Sequence, residues 1–206
     1  MTQLIDFILH IDKHLIDIVA NYGVWVYAIL FLIIFAETGF VVTPFLPGDS
    51  LLFAAGGMAA IGNLNVFALA GLLLLAAILG NTVNYTVGYF AGQQILDKGW
   101  IKQSYLTQTE QYFEKHGAQT VIFSRFAPIL RTIAPFIAGV GKMDYKKFTL
   151  YNVAGAAAWV FICIAAGYFL FNIPAVKNNF SIITLGIIGV SLIPTALTIL
   201  KARNTN

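Results

Sequence analysis

Four ionisable residues stand in stretches otherwise built for hydrocarbon: Glu37, Asp49, Arg125 and Arg131. A charge near the centre of a bilayer costs roughly 2.5–3.5 kcal/mol on insertion scales, so such groups pair or line a wet cavity, and by default they mark function. Carboxylates at that depth serve as proton relays, which would suit Glu37 and Asp49 to proton coupling. Arginine stays charged and presents a planar fork that matches phosphate oxygens, so Arg125 and Arg131 could hold an anionic headgroup. The structural alternative is an acid–base lock joining the segments that carry these residues.

The sequence around them dictates what must position them. Of 206 residues, 59% are hydrophobic and 10% charged, and the mean hydropathy is +0.80. Soluble domains carry about 25% charged residues, which excludes an ordinary soluble fold. No polar linker divides the chain, so one membrane domain, 1–206, is expected. Uncharged runs of 19, 47, 29 and 23 residues follow Asp17, Asp49, Lys147 and Lys177. Each reaches the roughly 20 residues needed to cross a hydrocarbon core of about 30 Å. Spans are expected at 24–42, 65–91, 148–171 and 181–200. Residues 1–20 place Gln3, Asp6, His10, Lys13 and Asp17 on one face, the pattern of an interfacial amphipathic helix. Asp6, His10, His14 and Asp17 could also be arranged as metal ligands, but nothing nearby completes the set, and no metal or cofactor is expected.

Two segments are apolar yet broken. Thr43-Pro44-Phe45-Leu46-Pro47-Gly48-Asp49-Ser50 leads into a stretch containing Gly56 and Gly57 and ending at Gly62. Residues 121–140 carry Arg125, Pro128, Arg131, Pro135 and Gly139. Irregular backbone at membrane depth survives only where protein or a wet cavity satisfies its polar groups. Residues 44–62 and 121–140 are therefore expected as re-entrant hairpins shaped by Pro44, Pro47, Gly48, Pro128, Pro135 and Gly139. In the second span, Gly80, Asn84, Gly88 and Gly92 form a stripe where helices can approach closely, and Asn81 and Asn84 are expected to bond across helices. Residues 93–117 form the polar connection, in which Thr107-Gln-Thr-Glu110 fits a capping box opening a helix that Gly117 ends. Tyr105, Leu106, Tyr112 and Phe113 would give that helix an apolar side for the membrane interface.

Lysine and arginine set the orientation. With both termini inside, nine (Lys13, Lys98, Lys102, Lys115, Lys142, Lys146, Lys147, Lys201 and Arg203) face the cytoplasm and Lys177 alone faces outward. The half 24–92 and the half 118–171 then run in opposite directions. The fold class expected is an all-α membrane protein: about four transmembrane helices, two oppositely oriented re-entrant hairpins forming an inverted repeat, and the N-terminal interfacial helix. Inverted halves with interrupted segments are the pattern of secondary transporters.

Glu37, Pro44-Phe-Leu-Pro47-Gly48-Asp49, Phe123-Ser-Arg125-Phe-Ala-Pro128-Ile-Leu-Arg131, Gly139 to Met143 and Asn152-Val-Ala-Gly155-Ala-Ala-Ala-Trp159 together resemble the signature positions of the DedA family, also called the SNARE-associated or VTT-domain family. The resemblance covers about residues 20–200. It implies a bacterial inner-membrane protein that moves phospholipid, or a polyprenyl-phosphate carrier such as undecaprenyl phosphate, across the bilayer. It also implies that Glu37, Asp49, Arg125 and Arg131 are required, with dependence on proton motive force in some members.

The partners expected are a membrane lipid and protons, with a homo-oligomer conceivable. The net charge of +3 reflects topology and anionic headgroups, and gives no reason to invoke nucleic acid. Alternatives are a proton-coupled exporter of small molecules or cations and a structural assembly factor. An enzyme is not expected: the three histidines, His10, His14 and His116, lie outside the hairpins, and no HExxH or GxSxG is present. The lone Cys163 excludes an intramolecular disulfide. The N-terminus lacks a basic n-region and cleavage site, so no processing is expected.

Overall fold

The computed structural model describes residues 23–40, 48–62, 64–99 and 103–177. The expected interfacial helix, the 181–200 span, Pro44 and Pro47 lie outside them. The described residues form helices and turns, with no strand among them. In chain order these are α1 (Trp25–Gly39), α2 (Gly48–Ala60), α3 (Val66–Asp97), α4 (Gln103–His116), α5 (Thr120–Phe123), α6 (Pro128–Val140), α7 (Tyr145–Phe171) and α8 (Pro174–Lys177). Helices α3 and α7 are long and apolar enough to cross a membrane.

Local chemistry sets the element ends. After α2 the chain turns at Gly62, whose φ of +86° is open to glycine at little cost. Asn65 then caps α3, its Oδ1 accepting the N–H groups of Phe67 and Ala68 at 3.0 Å each. The first broken stretch, expected to end at Gly62, ends at this turn. Helix α3 continues to Asp97, beyond the expected end at 91. Helix α4 ends at a left-handed Gly117, as expected, but it starts at Gln103. Thr107 therefore lies inside the helix and the capping-box expectation fails: a Thr-x-x-Glu pattern also fits an exposed helical face. Leu106 of α4 is buried with Ile133 and Phe136 of α6, and Phe113 packs on the cluster of Tyr85, Val121 and Phe148. Leu106 and Phe113, two of the four side chains expected to face the membrane interface, thus pack against other helices.

The chain divides into two compact units. In the first (1–30, 47–71 and 161–206), α2 meets the last turns of α7, and Phe53 and Phe171 pack edge to face at 5.6 Å. A Cβ at Gly56 would strike the Ile164 carbonyl and one at Gly167 the Phe53 carbonyl, so these backbones touch because small residues face each other.

The second unit (31–46 and 72–160) is organised on α3. A Cβ at Gly80 would meet Thr38 Oγ1 of α1, and one at Gly88 would meet the Phe136 carbonyl of α6, so the expected stripe seats two different partners. Ser124–Phe126 form a 3-10 turn, Ala127 is extended, and α6 starts at Pro128. Inside α6, Pro135 has no N–H for the Arg131 carbonyl. The helix closes with Met143 N–H on the Ala138 carbonyl and Lys142 N–H on that of Gly139, both at 2.9 Å, a Schellman arrangement with Lys142 at φ +51°. Asp144 caps α7 by accepting the Lys147 N–H at 3.0 Å.

Gly139→Val should place its Cβ against the Tyr85 carbonyl and the Tyr89 amide and destabilise the protein by about 1–3 kcal/mol, as overpacking does. Gly71→Ala, with nothing within 4 Å of the added carbon, should melt at or slightly above the wild-type temperature. Thermal unfolding of both in detergent checks the contrast.

Candidate functional site

Three of the four ionisable residues singled out in the sequence come together in the second unit. Arg131, on the first turns of α6, places Nη2 3.2 Å from Oε1 of Glu37 on α1, with 4% and 1% of the two side chains exposed. Arg125, in the 3-10 turn, is 1% exposed. Its Nη2 donates to Asn152 Oδ1 of α7 at 2.6 Å and to the Ala77 carbonyl of α3 at 3.3 Å. Asp49 belongs to the other unit, in the first turn of α2, where a carboxylate complements the positive end of the helix dipole. Gly48 begins that helix, and Pro128, Pro135 and Gly139 lie in α6.

Helix α7 supplies what the charges alone did not reveal. Asn152, Gly155 and Trp159 follow one another at spacings of three and four, which puts them on one helical face. Asn152 holds Arg125 and donates Nδ2 to the Ile78 carbonyl at 3.1 Å. A Cβ at Gly155 would sit 3.1 Å from both Arg125 Cδ and Ile122 Cα, so glycine leaves the room the arginine occupies. The guanidinium carbons of Arg131 and Arg125 lie 4.9 and 5.9 Å from the centroid of the Trp159 ring. An indole face attracts cations by its quadrupole, worth about 0.5–2 kcal/mol depending on desolvation. These three residues stood in the sequence as motif positions without a role. Their three-and-four spacing was the available signal.

The two asparagines of α3 differ. Asn84 bonds across helices as expected, donating Nδ2 to the carbonyls of Thr38 (3.2 Å) and Thr132 (2.7 Å). Asn81 does not: it is fully buried, and neither side-chain polar atom has a hydrogen-bond partner among the described residues. The expectation of a cross-helix bond is corrected there. Being on the helix face that meets other helices was enough for burial, but no acceptor lies within reach.

Two apolar helices of spanning length and a buried acid–guanidinium cluster fit an α-helical membrane protein. The model of the VTT domain matches residues 46–169. The chain is 53% identical over 205 residues to Protein DedA of Escherichia coli (strain K12), covering 97% of this chain and 94% of that one. It is 39% identical over 168 residues to an uncharacterized membrane protein of Mycobacterium leprae, covering 80% and 75%. With the inner membrane protein YghB of Escherichia coli (strain K12) it shares 29% identity over 211 residues, covering 98% and 93%. No solved structure matches. The chain belongs to the DedA family of VTT-domain membrane proteins.

Replacing Glu37 by Leu should take from Arg131 its buried carboxylate and cost about 3–5 kcal/mol, the usual penalty for breaking a buried pair from one side. The double variant Glu37→Leu/Arg131→Met should recover most of that loss. Melting temperatures of the two single variants and the double variant in one detergent measure the coupling.

Proposed function

We propose that this protein is a flippase- or scramblase-like lipid transporter of the bacterial inner membrane. Its cargo is a phospholipid or a polyprenyl-phosphate carrier such as undecaprenyl phosphate, and its termini are cytoplasmic. The observation that carries this reading is an imbalance of charge. Among the described residues of the second unit, Arg125 and Arg131 are buried with one buried carboxylate, Glu37. An excess guanidinium in a membrane protein favours an anionic partner, and a phosphate group fits the arginine fork.

The broken segments support re-entrant hairpins. Helices α2 and α6 have 13 residues each, a rise of about 20 Å against a hydrocarbon core of about 30 Å. The extended Ala127 interrupts the chain just before α6. In this reading the tails of the lipid stay in the bilayer while its headgroup engages the arginines, and Glu37 and Asp49 exchange protons that bias return of the empty site. The proton motive force would then drive net movement. The relatives' printed names, among them an inner membrane protein, support the location.

Purified protein in vesicles should accelerate transbilayer movement of a labelled lipid phosphate. Arg125→Lys and Arg131→Lys should each slow it at least tenfold, because an ammonium offers neither the fork nor the flat face that lies on Trp159. Rates unchanged on replacing either arginine by Ala would remove the headgroup role, and rates indifferent to an imposed pH gradient would remove the proton coupling.

A further inference from the structure

Asn81 has 0% of its surface exposed, and among the described residues both Oδ1 and Nδ2 lack a hydrogen-bond partner. A buried polar group left unpaired costs roughly 1–3 kcal/mol, and most such groups in native structures have a reason for being there. An apolar side chain at this position would continue α3 without leaving a polar group unpaired.

The register of α3 says where the amide lies. Ala77, Asn81 and Asn84 are four and three residues apart, so they share a face, with Asn81 about 6 Å along the axis from Ala77 and about 4.5 Å before Asn84. Ala77 gives its carbonyl to Arg125. Asn84 reaches the carbonyls of Thr38 and Thr132, the residues that follow Glu37 and Arg131. Asn81 therefore stands between the anchor of one guanidinium and the level of the other. Nε and Nη1 of Arg125 and Oδ1 of Asn84 also lack hydrogen-bond partners among the described residues, and Arg125 reaches α3 at Ala77, about one turn before Asn81.

We propose that Asn81 contacts the cargo: its amide, together with Nη1 of Arg125, hydrogen-bonds the phosphate of a lipid in transit. The inference rests on the lipid-phosphate reading above and adds to it a neutral donor that fixes the phosphate without adding charge. With no exposed surface, the amide meets the phosphate only when the helices packed over it part.

The test uses the full chain in phosphatidylethanolamine and phosphatidylglycerol vesicles. The probes are acyl-labelled phosphatidylglycerol, acyl-labelled phosphatidylethanolamine and a labelled polyprenyl phosphate, with wild type, Arg125→Ala, Asn81→Leu and Asn81→Gln compared. The expected result is that Asn81→Leu melts at or above the wild-type temperature yet transports at least tenfold more slowly at low probe fraction. The loss should lie in the half-saturating lipid fraction, and Asn81→Gln should be intermediate. Transport by Asn81→Leu within twofold of wild type overturns the proposal, as does a loss of activity that tracks a fall in melting temperature. If wild type moves none of the three probes, or Arg125→Ala moves them as fast, the lipid-phosphate reading itself fails and the role of Asn81 goes with it.

Discussion

Two guanidinium groups lie over one indole ring, at 4.9 and 5.9 Å from its centroid, and among the described residues of their unit one carboxylate, Glu37, is buried with them. Desolvating such charges is expensive, and a lone ion pair seldom recovers the whole cost. The surrounding sequence reads as the set of contacts that make the arrangement tolerable. Glu37 meets Arg131, Asn152 and the Ala77 carbonyl meet Arg125, and Gly155 leaves space for the arginine stem. Trp159 spreads weak attraction over both cations without neutralising either. Each charge in the cluster is thus held by neighbours in the protein.

Much of this was legible in the sequence because membrane insertion makes each charge conspicuous. Glu37, Arg125 and Arg131 stood out against their neighbours, and the first broken stretch ended at Gly62 as its glycine suggested. The glycine stripe of α3 announced close packing, although not that Gly80 faces α1 while Gly88 faces α6. The cradle on α7 was harder to read. An apolar helix with a mean composition close to that of lipid gives little hint of which face turns inward, so Asn152 and Trp159 could be marked only as motif positions. Asn81 and Asn84 look equivalent as letters, and the difference between them is set by which backbone carbonyls come within reach. The start of α4 was misplaced for a related reason: a capping pattern is short, and the same spacing also occurs on exposed helical faces.

Small residues also explain how charged side chains are sealed between helices that hydrophobicity alone cannot drive together in lipid. Where Gly88 and Gly139 let α3 and α6 touch backbone to backbone, the side chains on either side are brought to fixed heights. Tyr85 reinforces the seam, stacking on Phe148 at 4.3 Å and donating to the Met143 carbonyl at 2.5 Å. The geometry of the acid–guanidinium cluster is thereby set by packing several residues away from it.

Helix α3 has 32 residues, about 48 Å of axial length, well beyond the thickness of a typical hydrocarbon core. Its closing segment, with Gln93, Gln94 and Asp97, is suited to project past the lipid tails. A rod with that much overhang answers a thinner or thicker bilayer by leaning, at a modest cost per ångström of mismatch. Acyl-chain length in the host membrane would then be met by the tilt of this helix.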